Sequence, residues 1–186
     1  MDSKVLIMEA TLDEFSKRGL KFTMDDIAQK LHMSKKTIYT FFTTKEDLFI
    51  STVNYGFDQI KIAEQKILNA PNLSTLEKIE KILIVLPERY QHVDWRNIYL
   101  CKNKFPSIYE QIKRRLESDW DGTIMLLETA ISEGVIRPIS IPVLKTMLNA
   151  SFEHFINSTN LIEHDIPYNT ALSELISILM HGIVQS

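Results

Sequence analysis

The chain has 186 residues, 45% of them hydrophobic and 24% charged, with a mean hydropathy of −0.07. These are globular values that exclude general disorder, and no apolar run approaches the roughly 20 residues a membrane-spanning helix needs. A net charge of −3 and a single cysteine, Cys101, exclude an overall basic protein and an internal disulfide framework; with no signal-like apolar stretch after Met1-Asp2-Ser3-Lys4, they point to the reducing cytoplasm.

Five glycines and six prolines, well spread, leave long unpunctuated runs, and no alternating stretch is bounded by hairpin turns. The fold class is therefore all-α, with about nine helices. The first covers roughly residues 3–18, with Val5, Met8, Leu12 and Phe15 on one face, and stops at Gly19. Thr23 followed by Asp26 reads as a cap with an acid at its third position, opening a short second helix to about Leu31. Ser34 caps a third over roughly 35–42. Thr44 to Asp47 opens a fourth, with Leu48, Phe49, Val53, Phe57 and Ile60 as its stripe. Ser74 and Glu77 box the start of a fifth, which carries Ile79, Ile82, Leu83 and Leu86 and which Pro87 kinks or ends. A short sixth is expected over roughly 94–104. Ser107 to Glu110, just after Pro106, begins a long seventh with Ile108, Ile112, Leu116, Ile124, Leu127 and Ile131, ending at Gly134. An eighth spans about 141–160 and a ninth about 168–184.

The second and third helices carry the functional signal. Ile27, Ala28 and Leu31 line one face of the second, and Ala28 is small where a crossing helix must approach. His32-Met33-Ser34 leaves a three-residue break. Ile38 and Phe42, at i and i+4, give the third helix one buried edge, and its other face carries Lys35, Lys36, Thr37, Tyr39 and Thr40. A support helix, a tight turn and a helix with a free polar face make the helix-turn-helix pattern. The net charge conceals a local patch: residues 1–50 hold eight Lys/Arg and eight Asp/Glu, but positions 27–45 contain four lysines and no acid. Lysines neutralise phosphates, and threonine and tyrosine hydroxyls bond phosphate oxygens or base edges.

At this point the first fifty or so residues resemble the TetR family of transcriptional regulators. The resemblance rests on Glu9-Ala10, Leu12, Phe15, Gly19, Thr23, Ile27-Ala28, Ser34-Lys35, Ile38-Tyr39, Phe42 and Lys45-Glu46-Asp47-Leu48 at the family's spacing. It implies a DNA-binding domain over residues 1–50, its helix-turn-helix at about 23–42, and a helical regulatory and dimerisation domain over 51–186. Thr23 resembles the residue that opens the second helix and touches a phosphate. Ser34, Lys35, Lys36 and Thr37 open the recognition helix, Tyr39 resembles the family's phosphate- or base-contacting tyrosine, and Thr40 is the adjacent groove-facing position. Lys45 resembles a lysine that grips the backbone. Two departures are visible. His32 stands where glycine is common and positive φ is required, a conformation histidine tolerates better than most residues. Phe41 stands where histidine or another polar residue is common, so it is left out of the site.

The resemblance also implies a ligand-responsive regulator, with repression of a palindromic operator relieved by a small apolar effector. Tyr90, Trp95, Tyr99, Phe105, Trp120, Met125 and Phe152 are the candidate pocket lining, each equally open to plain core packing. The helices at about 141–160 and 168–184 have broad apolar stripes, and Gly182 lies on the second; the resemblance suggests they pair with their counterparts in a homodimer. His92, His154, His164 and His181 show no metal-ligand spacing, so no metal and no cofactor is expected. No phosphate-cradling glycine loop, nucleophile elbow or zinc-hydrolase motif appears, so no enzyme is expected. The alternative is a helical adaptor that binds a protein partner and lacks specific DNA binding.

Overall fold

The computed structural model describes residues 2–90, 93 and 101–183. These residues form helices and connecting turns, with no β-strand among them. The helices are α1 (Ser3–Arg18), α2 (Met24–Lys30), α3 (Lys35–Phe41), α4 (Lys45–Leu68), α5 (Thr75–Leu83), α6 (Cys101–Lys104), α7 (Pro106–Glu117), α8 (Asp121–Ser132), α9 (Ile141–Asn157), α10 (Thr159–Glu163) and α11 (Tyr168–Ile183). The expected sixth helix is described only over α6; the remainder of that expectation lies outside the described residues. Packing divides the chain into two units, one of residues 1–59 and 88–115 and the other of residues 60–87 and 116–186. Helix α4 contributes to both.

The first unit is built around α1. Asp2 caps this helix by accepting from the Lys4 backbone N–H. Its buried surface is broader than the expected stripe: Ile7 is fully buried, whereas Val5 is only half-buried. Gly19 ends the helix at φ 55°, in the positive-φ region that glycine enters without strain. The chain then makes a single 3-10 turn, Gly19–Lys21, which delivers Leu20 and Phe22 to the core. Phe49 of α4 meets Phe15 at a ring-centroid distance of 4.8 Å and Phe22 at 5.6 Å edge-on. Along α4, Gly56 leaves room for the buried Tyr90 ring, whose Cε1 would lie 3.3 Å from an added Cβ.

The second unit has its own core, formed by Ile79, Ile82 and Leu83 of α5, Leu126, Leu127 and Ala130 of α8, Leu144 and Leu148 of α9, and Ile176, Met180 and Ile183 of α11, with Ile136 between helices. Here two expected helices are each divided. The long seventh breaks into α7 and α8 at Ser118–Trp120, where Asp119 takes φ 60°. Aspartate is among the few non-glycine residues that accept this conformation, the Lys61 ammonium donates to its carbonyl, and Trp120 Nε1 donates to the Leu116 carbonyl at 2.9 Å. The eighth ends at Asn157 because Ser158 is extended and caps α10, accepting from the Leu161 N–H. The fifth ends at Leu83, ahead of Pro87.

Candidate nucleic-acid interface

The helix-turn-helix is assembled from local devices, each acting over a few residues. Thr23 caps α2 in a full capping box: its Oγ1 accepts from the Asp26 N–H at 3.2 Å, and the Asp26 carboxylate accepts from the Thr23 N–H at 2.8 Å. The Thr23 hydroxyl also donates to that carboxylate, and these two hydrogen bonds hold the Asp26 carboxyl below its ordinary pKa. The cap's contribution is thus complete above the ordinary carboxylate value and fades as the pH falls through the lowered one. At the other end of α2, the His32 N–H reaches the Gln29 carbonyl at 3.2 Å and the Met33 N–H the Ala28 carbonyl at 3.0 Å. That is a Schellman closure, with His32 at φ 52° in the place glycine usually fills.

The strained histidine gives a direct test. His32→Gly removes a left-handed cost of about 1–2 kcal/mol and adds about 0.5–1 kcal/mol of unfolded-state entropy. A net gain of roughly 0.5 kcal/mol is expected, read as a higher urea midpoint. A lowered midpoint would show that the His32 side chain supplies more than its backbone costs.

Ser34 caps α3, accepting from the Thr37 N–H at 3.0 Å, while the Ser34 and Thr37 hydroxyls lie 2.8 Å apart. Ile38, wholly buried, and Phe42, at 1% exposure, seat the helix on the core. The remaining side chains face outward: Ser34, Lys35, Lys36, Thr37 and Thr40 are exposed, and Tyr39 is 43% exposed. Thr40 donates back to the Thr37 carbonyl at 2.6 Å. The structure therefore brings six of the eight predicted DNA-contact residues to one free surface, with Thr23 exposed at the start of α2.

The four lysines of positions 27–45 are not one patch. Lys30 turns toward α1, 2.7 Å from Asp13 and 3.6 Å from the buried Glu14 carboxylate. Lys35 donates to Asp25 at 2.8 Å, and this hydrogen bond raises its pKa. Lys36 makes no ion pair among the described residues. Lys45 points inward. Its ammonium donates to the carbonyls of Leu20, at 2.8 Å, and Phe22, and lies 4.1 Å from the Phe22 ring centroid and 5.9 Å from that of Phe105. Burial lowers its pKa, and nearby Lys104 adds to the effect. Lys45 thus clamps the 3-10 turn to the start of α4, where the sequence resemblance implied a grip on phosphate. Asp25, the anchor of Lys35, has no signature in the sequence beyond its place in the first turn of α2.

Two outcomes separate the roles of Lys45. Lys45→Ala is expected to lower the unfolding free energy by about 1.5–3 kcal/mol, the range for hydrogen bonds to a charged group, in a denaturant titration. With the clamp role alone, the salt dependence of DNA binding stays that of the parent chain. A slope reduced by about one per protomer would instead return Lys45 to the phosphate backbone.

The candidate pocket residues are divided between the two units. Tyr90 and Phe105 belong to the first unit, whereas Trp120, Met125 and Phe152 belong to the second. Trp120 and Phe152 pack against the second core, and Met125 is 67% exposed, so it lines no interior space within its unit. Trp95 and Tyr99 lie outside the described residues. Cys101 is buried, and burial pushes its thiol up to about 12, which suits a small core residue. Among the described residues there is no cluster of three or more potential metal ligands, and no helix is long and apolar enough to cross a membrane.

Residues 7–52 match the family model described as bacterial regulatory proteins, tetR family. Two curated relatives come from Bacillus subtilis (strain 168). The uncharacterised HTH-type transcriptional regulator YhgD is 34% identical over 145 residues, covering 74% of each chain. The uncharacterised HTH-type transcriptional regulator YvaF is 24% identical over 98% of this chain and 95% of its own. Among solved structures, the transcriptional regulator FadR from Bacillus subtilis, in complex with stearoyl-CoA, superposes with a TM-score of 0.65 at 18% identity, over 95% of this chain and 96% of that one.

Proposed function

Because the chain belongs to the TetR family of transcriptional regulators, we propose that it is a homodimeric repressor, released from a palindromic operator by a small apolar effector. It is a DNA-binding regulator of the helix-turn-helix type and not an enzyme. In this reading residues 1–50 are the DNA-binding part and residues 51–186 the regulatory and dimerising part. The protein works in the cytoplasm, where its operator is.

One observation carries the reading: a seven-residue helix seated only by its buried edge, with every polar side chain of its other face in solvent. Ser34, Lys35, Lys36, Thr37, Tyr39 and Thr40 form the groove-facing surface, and Thr23 supplies a phosphate contact at the start of α2. A helix N-terminus and its flanking hydroxyls suit phosphate, and the outer turns of α3 suit base edges. Dimerisation is supported by apolar side chains left in solvent on α9 and α11: Val143 and Met147 on the first, and Ile178, at 71% exposure, on the second. Open space beside Gly182 allows a second helix to approach closely. Two-fold pairing would set the two α3 helices about 34–36 Å apart, or a multiple of that, on a near-palindromic site.

Repression follows if the dimer occupies its operator without ligand and the effector favours a state with the other spacing. A coupling of about 1–3 kcal/mol changes occupancy five- to 150-fold. The stearoyl chain of the ligand bound to FadR makes long-chain fatty acids the first apolar effectors to try, with their CoA thioesters beside them. The test is selection of duplexes from a random library by the full chain, followed by titration of the selected site with palmitoyl- and stearoyl-CoA and with free fatty acids. A two-fold symmetric consensus, lost from the protein when effector is added, is expected. Enrichment of no sequence at physiological salt would leave the helical adaptor in its place.

A further inference from the structure

Resting on the DNA-binding reading, we infer that Phe41 is a specificity residue of the recognition helix, making an apolar contact with the 5-methyl group of a thymine in each half-site. Helical geometry places successive residues about 100° apart. Taking Ile38 as the inward direction, Lys36 and Thr40 fall on the outermost line of α3. Lys35 and Tyr39 share one flank, and Thr37 and Phe41 share the other. The two flanks differ in chemistry. The first presents an ammonium and a phenol, groups that bond phosphate oxygens. The second presents a hydroxyl already hydrogen-bonded to Ser34 and a benzyl group that can bond none.

Phe41 is not a core residue that happens to show an edge. It is 40% exposed, whereas the adjacent Phe42 is 1% exposed and takes the inward place. Packing takes up the whole of Phe42 but only part of Phe41, whose ring keeps an apolar face in solvent. Lys4 stacks on the ring of Phe42, at 5.5 Å from its centroid, leaving Phe41 without such a partner among the described contacts. On a surface otherwise made of hydroxyls and ammonium groups, an exposed benzyl group needs an apolar complement. The floor of the major groove offers one, the thymine methyl, the bulkiest apolar group that any base edge projects there. Recognition at this flank is thus expected to select A·T pairs by methyl contact, with no loss of a buried hydrogen bond on either side.

The experiment uses the full chain and the operator obtained by selection. Each thymine of one half-site is replaced in turn by deoxyuridine, which removes the methyl and leaves every hydrogen-bonding group in place. The parent chain is expected to lose about fourfold in affinity at one thymine, the scale of one buried methyl. Phe41→Ala should bind the thymine and deoxyuridine sites equally, and Phe41→Leu should keep part of the preference. Because the ring is only 40% exposed, Phe41→Ala is expected to lower the melting midpoint modestly, so affinities are compared at a temperature where circular dichroism shows every variant folded. Tight operator binding with no sensitivity to any deoxyuridine overturns the inference and leaves the regulator reading standing. A methyl preference that survives in Phe41→Ala overturns it too, and assigns the methyl to a threonine of α3. Equal weakening on both sites places the ring on deoxyribose, which also overturns it. Failure to select any operator is the separate failure of the regulator reading.

Discussion

Phe49→Ala is expected to lower the unfolding free energy of the helix-turn-helix unit by about 3–5 kcal/mol, the range for truncating a buried phenylalanine. Phe49 is 3% exposed and sits where three segments meet: α1 through Phe15, the turn after it through Phe22, and α4 itself. Removing the ring takes away two aromatic contacts and leaves a cavity that Phe15 and Phe22, both nearly inaccessible, have little freedom to fill. A loss of this size is roughly a fifth or more of the stability of an ordinary domain, so DNA binding should fall with it. Guanidinium unfolding followed by circular dichroism reads the effect, with Phe49→Leu as the variant that keeps most of the volume. A loss below about 1 kcal/mol would mean that the site collapses freely, against the close packing described.

Lys36→Glu is expected to reduce operator affinity by about 100-fold or more, and to lower the salt slope by about two per dimer. Lys36 lies on the outermost line of α3 and makes no ion pair among the described residues, so its charge is fully available to DNA. A homodimer presents it twice, and the substitution replaces an attraction with a repulsion each time. Lys35→Glu should cost less, because Lys35 already spends part of its charge on Asp25, 2.8 Å away. Fluorescence anisotropy across a salt series measures both. Equal losses at the two positions would show that the Asp25 pair opens on binding, and no loss at either would remove α3 from the DNA.

The ranking of these lysines was not legible from spacing. Lys30, Lys35, Lys36 and Lys45 form an acid-free run in the chain, yet Lys30 and Lys45 are turned into the unit and Lys35 is tethered. The partners that decide this are distant in sequence: Asp13 for Lys30, and the Leu20 and Phe22 carbonyls for Lys45. A long flexible side chain reveals nothing of its direction until its neighbours are placed. The same holds for Trp120, Phe152 and Met125, alike in aromatic or soft character: the first two pack against the second core, whereas Met125 is 67% exposed. In α7 and α8, a sound apolar period still concealed the break at Asp119, because periodicity skips over a residue that leaves the helix and returns in phase.

The caps, the turn and the seating of the recognition helix were all readable in the chain. Thr23 with Asp26, Ser34 with Thr37 and Ser74 with Glu77 close over three residues, and His32 holds the positive φ that its place between two short helices demands. Ile38 and Phe42 are buried because one helical turn separates them. Interactions of this reach depend on backbone geometry alone, which adjacent residues set without help from the rest of the molecule. Which charges remain for DNA, and how much of Phe41 stays in solvent, emerged only once α1, α2 and α4 had packed around α3. Burial and ion pairing belong to the assembled surface, and two neighbouring residues of one type acquire opposite environments there.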